Sequence, residues 1–377
     1  MILRTGTLDE NVRDRSVVKR LQEVWNFEPA AEDREAADVK SNIAACTQSI
    51  PVGDGNAQTA AELAALSARL AMTGAANELA CSGIRPEGAQ VTVLLPEESE
   101  ESLLRAITDS LRGAAKEAGV WISGFYGEAT PAVTRPVISV STAGHRPLLQ
   151  SENGVKDWNE KKAVAIETDG AADLLAIGAV GKSGTAILTA AREKELSLRF
   201  PQQFLEKARR MGEDLLVLPY LMQMQEAGIY PMQMEAASDG GIYAALWRLA
   251  EKGKGQVRGM TAELPDILIR QETVELADYY DINPYQMSSI GAVLAVVSDG
   301  EEAQRKLNER GVRAECIGRV QKGRDKVITN GDEKQNLNRP GPDALMQRLE
   351  QMQKSFGLRS VSKTAGRGTE GRTESGK

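Results

Sequence analysis

The stretch AQTAAELAALSARLAMTGAANELACSGIRP, residues 57–86, is dominated by alanine and leucine. Both residues have high helix propensity, so the stretch predicts a long helix over residues 57–80. Asp54 or Asn56 stands just before it, and either side chain can cap the helix by accepting hydrogen bonds from its first backbone N–H groups. We assign the neighbouring elements outward from this helix.

Strands and helices alternate after this helix. Val91–Leu95 is predicted as a strand and Glu98–Ala118 as an amphipathic helix, because the apolar residues of the second segment recur on one stripe. Shorter strands are predicted at Trp121–Ser123 and Val137–Val140. The pattern indicates a layered α/β domain over residues 1–150.

A second layered α/β domain is predicted over residues 162–340, because apolar strands such as Asp173–Ile177 again alternate with helices. The polar segment between the two domains is typical of a linker. Residues 341–357 predict a terminal amphipathic helix. Residues 358–377 are rich in Ser, Thr, Gly and Arg, so we expect a disordered tail there.

The composition excludes several classes of protein. The 377 residues carry a net charge of −7, which argues against a nucleic-acid or anionic-membrane partner. His145 is the single histidine and is expected in a loop, so a site with several histidine ligands is impossible. Three scattered cysteines predict reduced thiols. Because no long apolar run or signal-peptide core is found, we expect a cytoplasmic protein.

Residues 178–185, GAVGKSGT, look like a phosphate-binding P-loop between a strand and a helix. The spacing does not fit, because a P-loop needs a glycine five residues before Gly181 and that position is Ala176. A tight strand-to-helix turn is the favoured interpretation.

Residues 236–241, AASDGG, form a second glycine-rich turn before a predicted helix. Gly240 and Gly241 would let the backbone approach a ligand, and the N-terminus of a helix favours anions. Asp239 could hold a cation or cap the helix. A purely structural Gly-Gly turn fits the same residues, so both interpretations remain open.

Taken together, several segments resemble the AIR synthase (aminoimidazole ribonucleotide synthetase) superfamily, and especially its AIR synthase-related or hydrogenase-maturation-factor-like branch. The resemblance runs from about residue 4 to residue 345 and rests on the order and spacing of the segments. They are ANELACSGIRP at 76–86, PAVTRP at 131–136, SDGGI at 238–242, IRQETV at 269–274 and DINPYQMSSIG at 281–291.

This resemblance implies two α/β domains in each subunit and a homodimer whose N-terminal domains close a shared β-barrel. It also implies a cleft that binds ATP and Mg²⁺, where acidic side chains hold the hard metal ion. The positions that match the family's nucleotide site are Asp33, Glu78, Glu128, Asp239, Gly240 and Gly241. Of these, Asp33, Glu78 and Asp239 are the candidate metal ligands.

The sequence departs from the family pattern at its acids. Gln48 stands where the family usually has an aspartate, and Ala236 replaces another aspartate three residues before Asp239. Glu78 replaces a shorter aspartate. Mg²⁺ is bound through only a few carboxylates, so the loss of two predicts a weakened metal and nucleotide site.

Three functions are compatible with these observations. The first is a degenerate homodimer that binds a ligand or partner and hydrolyses ATP slowly or not at all. The second is an active ATP-dependent enzyme that phosphorylates an oxygen, with Asp33, Glu78, Glu128 and Asp239 sufficient for the reaction. The third is a structural scaffold whose tail is the interaction element. The replacements at positions 48 and 236 favour the first over the second.

Overall fold

Two β-sheets with helices packed against them make up the computed structural model, which describes residues 43–97, 99–145, 148, 172–251 and 258–365. Asp33, most of the expected linker and the end of the expected tail lie outside these residues. The architecture is mixed α/β, as predicted. Within the described ranges, every helix is too short or too polar to cross a membrane.

The described residues of the N-terminal part form four strands and two helices. They are β1 (Ile43–Ser49), α1 (Ala57–Cys81), β2 (Gly88–Leu95), α2 (Glu101–Ala118), β3 (Trp121–Ala129) and β4 (Val137–Ala143). The strand order is β1-β4-β2-β3, with β4 antiparallel to both neighbours and β2 parallel to β3. Among the described strands, β1 and β3 form the two edges of this sheet, and a barrel shared with a second copy stays a prediction.

The C-terminal part contains a larger sheet with the order β11-β10-β7-β9-β5-β8-β6. Its strands are β5 (Ala172–Ile177), β6 (Gln233–Ala236), β7 (Arg258–Glu263), β8 (Val293–Val297), β9 (Ala314–Lys322), β10 (Lys326–Asn330) and β11 (Glu333–Asn336). The α-helices are α3 (Lys182–Ala191), α4 (Glu193–Leu196), α5 (Gln202–Arg210), α6 (Leu218–Glu226), α7 (Gly241–Glu251), α8 (Gln271–Tyr279), α9 (Gly300–Glu309) and α10 (Ala344–Ala365).

Helix α1 confirms the strongest sequence prediction and identifies its cap. The Asn56 side chain accepts hydrogen bonds from the N–H groups of Gln58 and Thr59, at 3.0 and 3.2 Å. Asp54 has another role, because its carboxylate accepts hydrogen bonds from the N–H groups of Lys194 and Glu195. It thereby connects the loop before α1 to the C-terminal part.

The turn at residues 178–185 is a tight strand-to-helix connection, as favoured from its spacing. The N–H of Gly181 donates to Ser289 Oγ at 2.8 Å, and the N–H of Gly184 donates to the Ser288 carbonyl at 2.9 Å. A Cβ at Gly184 would lie 2.3 Å from Met287 Cγ. Because neighbouring backbone and side chains take these donors and fill the space, the turn leaves no phosphate cradle there.

Helix α10 corrects the expected start of the disordered tail. The helix continues to Ala365, whereas we expected it to end at residue 357. Propagating an existing helix costs less than starting one, so the anchored first turns support later residues of low helix propensity. Leu345 and Leu349 anchor it by packing into the core around α1 and α2, and Glu350 pairs with Arg135 at 2.9 Å.

Asn77 joins α1 to the C-terminal part through two buried hydrogen bonds. Its Nδ2 donates to the Leu215 carbonyl at 2.8 Å, and its Oδ1 accepts from the Val217 N–H at 2.9 Å. The side chain is 1% exposed, so water cannot replace either bond.

We therefore expect Asn77→Ala to lower the free energy of unfolding by about 2–4 kcal/mol, because it leaves two buried backbone groups unpaired. Denaturant unfolding would measure the change. Gln58→Ala is the matched control, since Gln58 lies on the same helix but is exposed and contacts only exposed Glu62. Equal effects of both substitutions would contradict the proposed role of Asn77.

Candidate functional site

Strand β1, the Ser238–Gly241 turn, the loop after Met287 and the start of α10 converge on a cleft between the two parts of the chain. One cavity in this cleft has a volume of about 300 Å³. Its lining residues are Thr47, Gln48, Ser49, Ile187, Asp239, Ser288, Asp343, Leu345 and Met346. A second cavity of about 360 Å³ shares Thr47 and Asp239 and includes Cys46, Glu78, Glu235, Ser238 and Arg248.

Asp239 lies where the two cavities meet. Burial raises the pKa of its carboxyl group, whereas hydrogen bonds from Gln48 and Ser288 and the charge of Arg248 oppose that rise. Gln48 is 7% exposed, so the residue that replaces a family carboxylate is an internal partner of the remaining one. An amide at this position neutralises nothing, but it orients Asp239.

Asp343, which the sequence analysis did not select, faces Asp239 from the N-terminus of α10. Its carboxylate accepts hydrogen bonds from the N–H groups of Gly240 at 2.9 Å, Leu345 at 3.0 Å and Met346 at 3.3 Å. Burial, followed by the charge of Asp239, raises the pKa of Asp343 to about 7. Asp343 lies inside the helix predicted over residues 341–357, so the sequence pattern gives no sign of a cap or of the contact with Gly240.

The Gly-Gly turn is glycine-rich for structural reasons. Gly240 and Gly241 have φ angles of +77° and +69°, which side chains disfavour. A Cβ at Gly241 would lie 2.4 Å from the Tyr285 carbonyl oxygen. The Gly241 N–H donates to the Ser238 carbonyl, and the Gly240 N–H donates to Asp343. The place where a bound anion was expected therefore holds a carboxylate of this chain.

The second cavity contains a charge pair and a neutral thiol. Glu235 is 4% exposed, and its Oε1 lies 2.6 Å from Arg248 Nε. Burial, with smaller contributions from Asp239 and Glu78, raises the pKa of Cys46 to about 12. At neutral pH the Cys46 side chain is therefore a thiol, which is a weak nucleophile and a poor metal ligand.

The structure brings together only some of the predicted site residues. Glu78 and Asp239 line the second cavity, with Glu78 contributed by α1, and Gly240 and Gly241 follow Asp239 in the turn. Glu128 lies on edge strand β3, where Tyr126 Oη donates to it at 2.8 Å. Strand β1, which carries Gln48, forms the opposite edge of that sheet.

These residues are a poor fit to a triphosphate with Mg²⁺. Asp239 and Asp343 accept hydrogen bonds from protein donors, and Glu235 is paired with Arg248. Across the part of the chain that the structure describes, no three His, Cys, Asp or Glu side chains are close enough to share a metal ion. The arrangement can hold a ligand through hydrogen bonds, but it offers no exposed carboxylate cluster for Mg²⁺.

Comparisons with known proteins agree with this fold. Residues 52–145 match the family model described as AIR synthase related protein, N-terminal domain. A hydrogenase expression/formation protein of Methanocaldococcus jannaschii is 26% identical over 265 residues, which cover 69% of this chain and 72% of that protein.

Solved structures of the hydrogenase maturation protein HypE share the fold. The E. coli protein superposes with a TM-score of 0.60 at 17% identity, covering 90% of this chain and 99% of that one. HypE in complex with ATP gives a TM-score of 0.55 at 15% identity, covering 91% of this chain and 98% of that one. The resemblance of this chain to the AIR synthase superfamily is thus confirmed.

The raised pKa of Asp343 predicts how stability depends on pH. Between its ordinary value of 3.8 and about 7, the folded protein holds a proton that the unfolded chain has released. The free energy of unfolding therefore falls as the pH rises through this range, and Asp343 contributes on the order of 4 kcal/mol to that fall.

We expect Asp343→Asn to flatten this part of the pH profile, because asparagine does not titrate. Its single Oδ1 can still cap α10, although its Nδ2 cannot accept the Gly240 N–H. Denaturant unfolding of both proteins at a series of pH values would measure the difference. Parallel profiles for the native chain and the variant would show that Asp343 does not hold the proton.

Proposed function

We propose that this protein is a degenerate relative of the AIR synthase superfamily that keeps the two-domain fold and its cleft, binds nucleotide weakly, and hydrolyses ATP very slowly or not at all. It would act by binding a ligand or a partner. The observation that carries this proposal is the state of the acids in the cleft: two family carboxylates are Gln48 and Ala236, and Gln48 lines the same cavity as Asp239.

The chemical argument concerns charge. Phosphoryl transfer depends mainly on positioning and on neutralisation of phosphate charge by metal ions. Gln48 cannot balance the charge of Mg²⁺, and Ala236 offers no ligand atom. Losing one electrostatic contact typically costs about 3 kcal/mol in the transition state, so losing two reduces the rate by several powers of ten.

An active ATP-dependent enzyme is the second candidate. The HypE structure solved with ATP shares the fold, which supports nucleotide binding by this chain as well. Glu78 lines the same cavity as Asp239, so its longer side chain would have to recruit the metal ion that shorter aspartates hold in the family. Asp33 would belong to the same site.

We also propose that the protein is a homodimer that pairs through β3. This strand is a sheet edge, and Trp121, Phe125 and Tyr126 on it are 82%, 48% and 55% exposed. Exposed aromatic residues on an unpaired edge favour association. Pairing with a second copy would cover these side chains and bring Glu128 to the interface. The expected location remains the cytoplasm.

Phosphate release from ATP and Mg²⁺ distinguishes the two catalytic candidates. We expect no measurable turnover by the native chain and a gain in the double variant Gln48→Asp with Ala236→Asp, because this variant restores both family carboxylates. Turnover by the native chain near about 1 s⁻¹, an ordinary value for a kinase, would refute the degenerate function.

Each single variant serves as a control for the double variant. If ATP turnover increases only when both substitutions are present, positions 48 and 236 belong to one metal site. If either substitution alone increases turnover, one added carboxylate together with Asp239 is enough to bind the metal ion.

Light scattering tests the dimer. We expect the native chain to be a dimer at micromolar concentration and Phe125→Glu to be a monomer, because a buried carboxylate without a partner is costly at an interface. Leu198→Glu is the matched control, since Leu198 is 84% exposed on the C-terminal part. A native monomer, or equal dissociation by both variants, would contradict pairing through β3.

A further inference from the structure

We propose that Asp343 is a specificity residue of the cleft, whose carboxylate occupies the position at the Gly240 N–H that the anionic group of a ligand would take. Polyanionic ligands then bind only when the N-terminus of α10 moves away, whereas uncharged ligands bind without that movement. The inference rests on the proposed function, because it concerns the same cleft.

The first support is the geometry of the contact. Asp343 Oδ2 accepts the hydrogen bond of the Gly240 N–H at 2.9 Å, across 103 residues of sequence. Its Oδ1 accepts from the first turn of α10. The side chain is 1% exposed. Helix α7 begins at the next residue, Gly241, so the carboxylate lies at the positive end of a second helix.

The second support is charge. Asp239 and Asp343 both line the 300 Å³ cavity, and the charge of Asp239 helps to raise the pKa of Asp343. Above the pKa of about 7, Asp343 is ionised, so a phosphate placed at Gly240 would lie beside a buried carboxylate. Repulsion between like charges is strong in such a buried site. An uncharged group in the same cavity would meet hydrogen-bonding side chains, Gln48 and Ser288, without this penalty.

The third support is the attachment of α10. Two leucines, Leu345 and Leu349, are buried in the core around α1, and Glu350 pairs with Arg135 from the N-terminal part. Withdrawal of Asp343 from Gly240 therefore strains a helix that is held on its far side. The anchoring of α10 therefore favours the state in which the Asp343 carboxylate accepts the Gly240 N–H, where the anionic group of a ligand would bind.

A contrasting role for Asp343 is that of a metal ligand that replaces the lost carboxylates. The two roles predict effects of opposite sign on ligand binding in the presence of Mg²⁺. Both oxygens of Asp343 already accept backbone hydrogen bonds, which favours the role of competitor.

Calorimetry at about pH 8, above the pKa of Asp343, tests the proposal with Asp343→Asn and four probes, pyrophosphate, ATP, AMP and adenosine, with and without Mg²⁺. We expect the variant to bind pyrophosphate and ATP at least about tenfold more tightly than the native chain, with adenosine unchanged, because only the charged probes meet the removed carboxylate. Pyrophosphate has negative charge but no adenine base. Its affinity therefore reports the charge effect even if the base of ATP binds elsewhere in the cleft.

Asp299→Asn is the matched control. Asp299 caps α9 by accepting the Glu302 N–H at 2.9 Å, so the substitution makes the same chemical change at a helix start remote from the cleft. We expect it to leave the affinity for all four probes unchanged. Circular dichroism would confirm that both variants are folded.

Three results would overturn the proposal. If the affinities for adenosine and pyrophosphate increase equally, the substitution has loosened the structure and the cleft does not select ligands by charge. Weaker binding of ATP with Mg²⁺ by the variant would identify Asp343 as a metal ligand, and unchanged affinities would remove any role at the ligand site. Fast phosphate release by the native chain would refute the proposed function separately, since it does not bear on the charge dependence of binding.

Discussion

The burial of helix α1 on both sides is the constraint on which the rest of the structure depends. Every residue from Leu70 to Asn77 is buried, between the N-terminal sheet and elements of the C-terminal part. A helix buried in this way needs apolar side chains on every face, and small side chains where neighbouring elements come close. At Gly74 a Cβ would lie 2.7 Å from Cys46 Sγ, so the missing side chain permits β1 to approach. The cleft exists because this packing fixes the two sheets against each other.

The availability of acidic groups, rather than their number, decides the chemistry of the cleft. Sequence comparison with the family counts carboxylates and finds two missing. The structure adds one acid, Asp343, but its oxygens accept hydrogen bonds from backbone N–H groups. Glu235 is likewise held by Arg248. A site whose acids are satisfied by the protein itself is suited to hydrogen bonding with a ligand of low charge.

Local sequence signals predicted the elements that depend on local interactions. Helix α1, its cap at Asn56 and the turn before α3 follow from propensity, capping chemistry and glycine spacing. Strand β3 was predicted only to Ser123, because Gly124 and Gly127 lower strand propensity, yet pairing with β2 extends it to Ala129. The same limit applies to the site, because the contact between Asp343 and Gly240 joins residues 103 positions apart and is a property of the tertiary fold.

The position of α10 in the chain has a consequence for synthesis on the ribosome. Glu350 reaches its partner Arg135 across 215 residues, and Leu345 and Leu349 fill a groove in a core built from much earlier residues. At about 5–20 residues per second, roughly 10–45 s pass between the emergence of Arg135 and that of its partner Glu350. During this interval the apolar side chains that Leu345 and Leu349 later cover remain uncovered in the nascent chain.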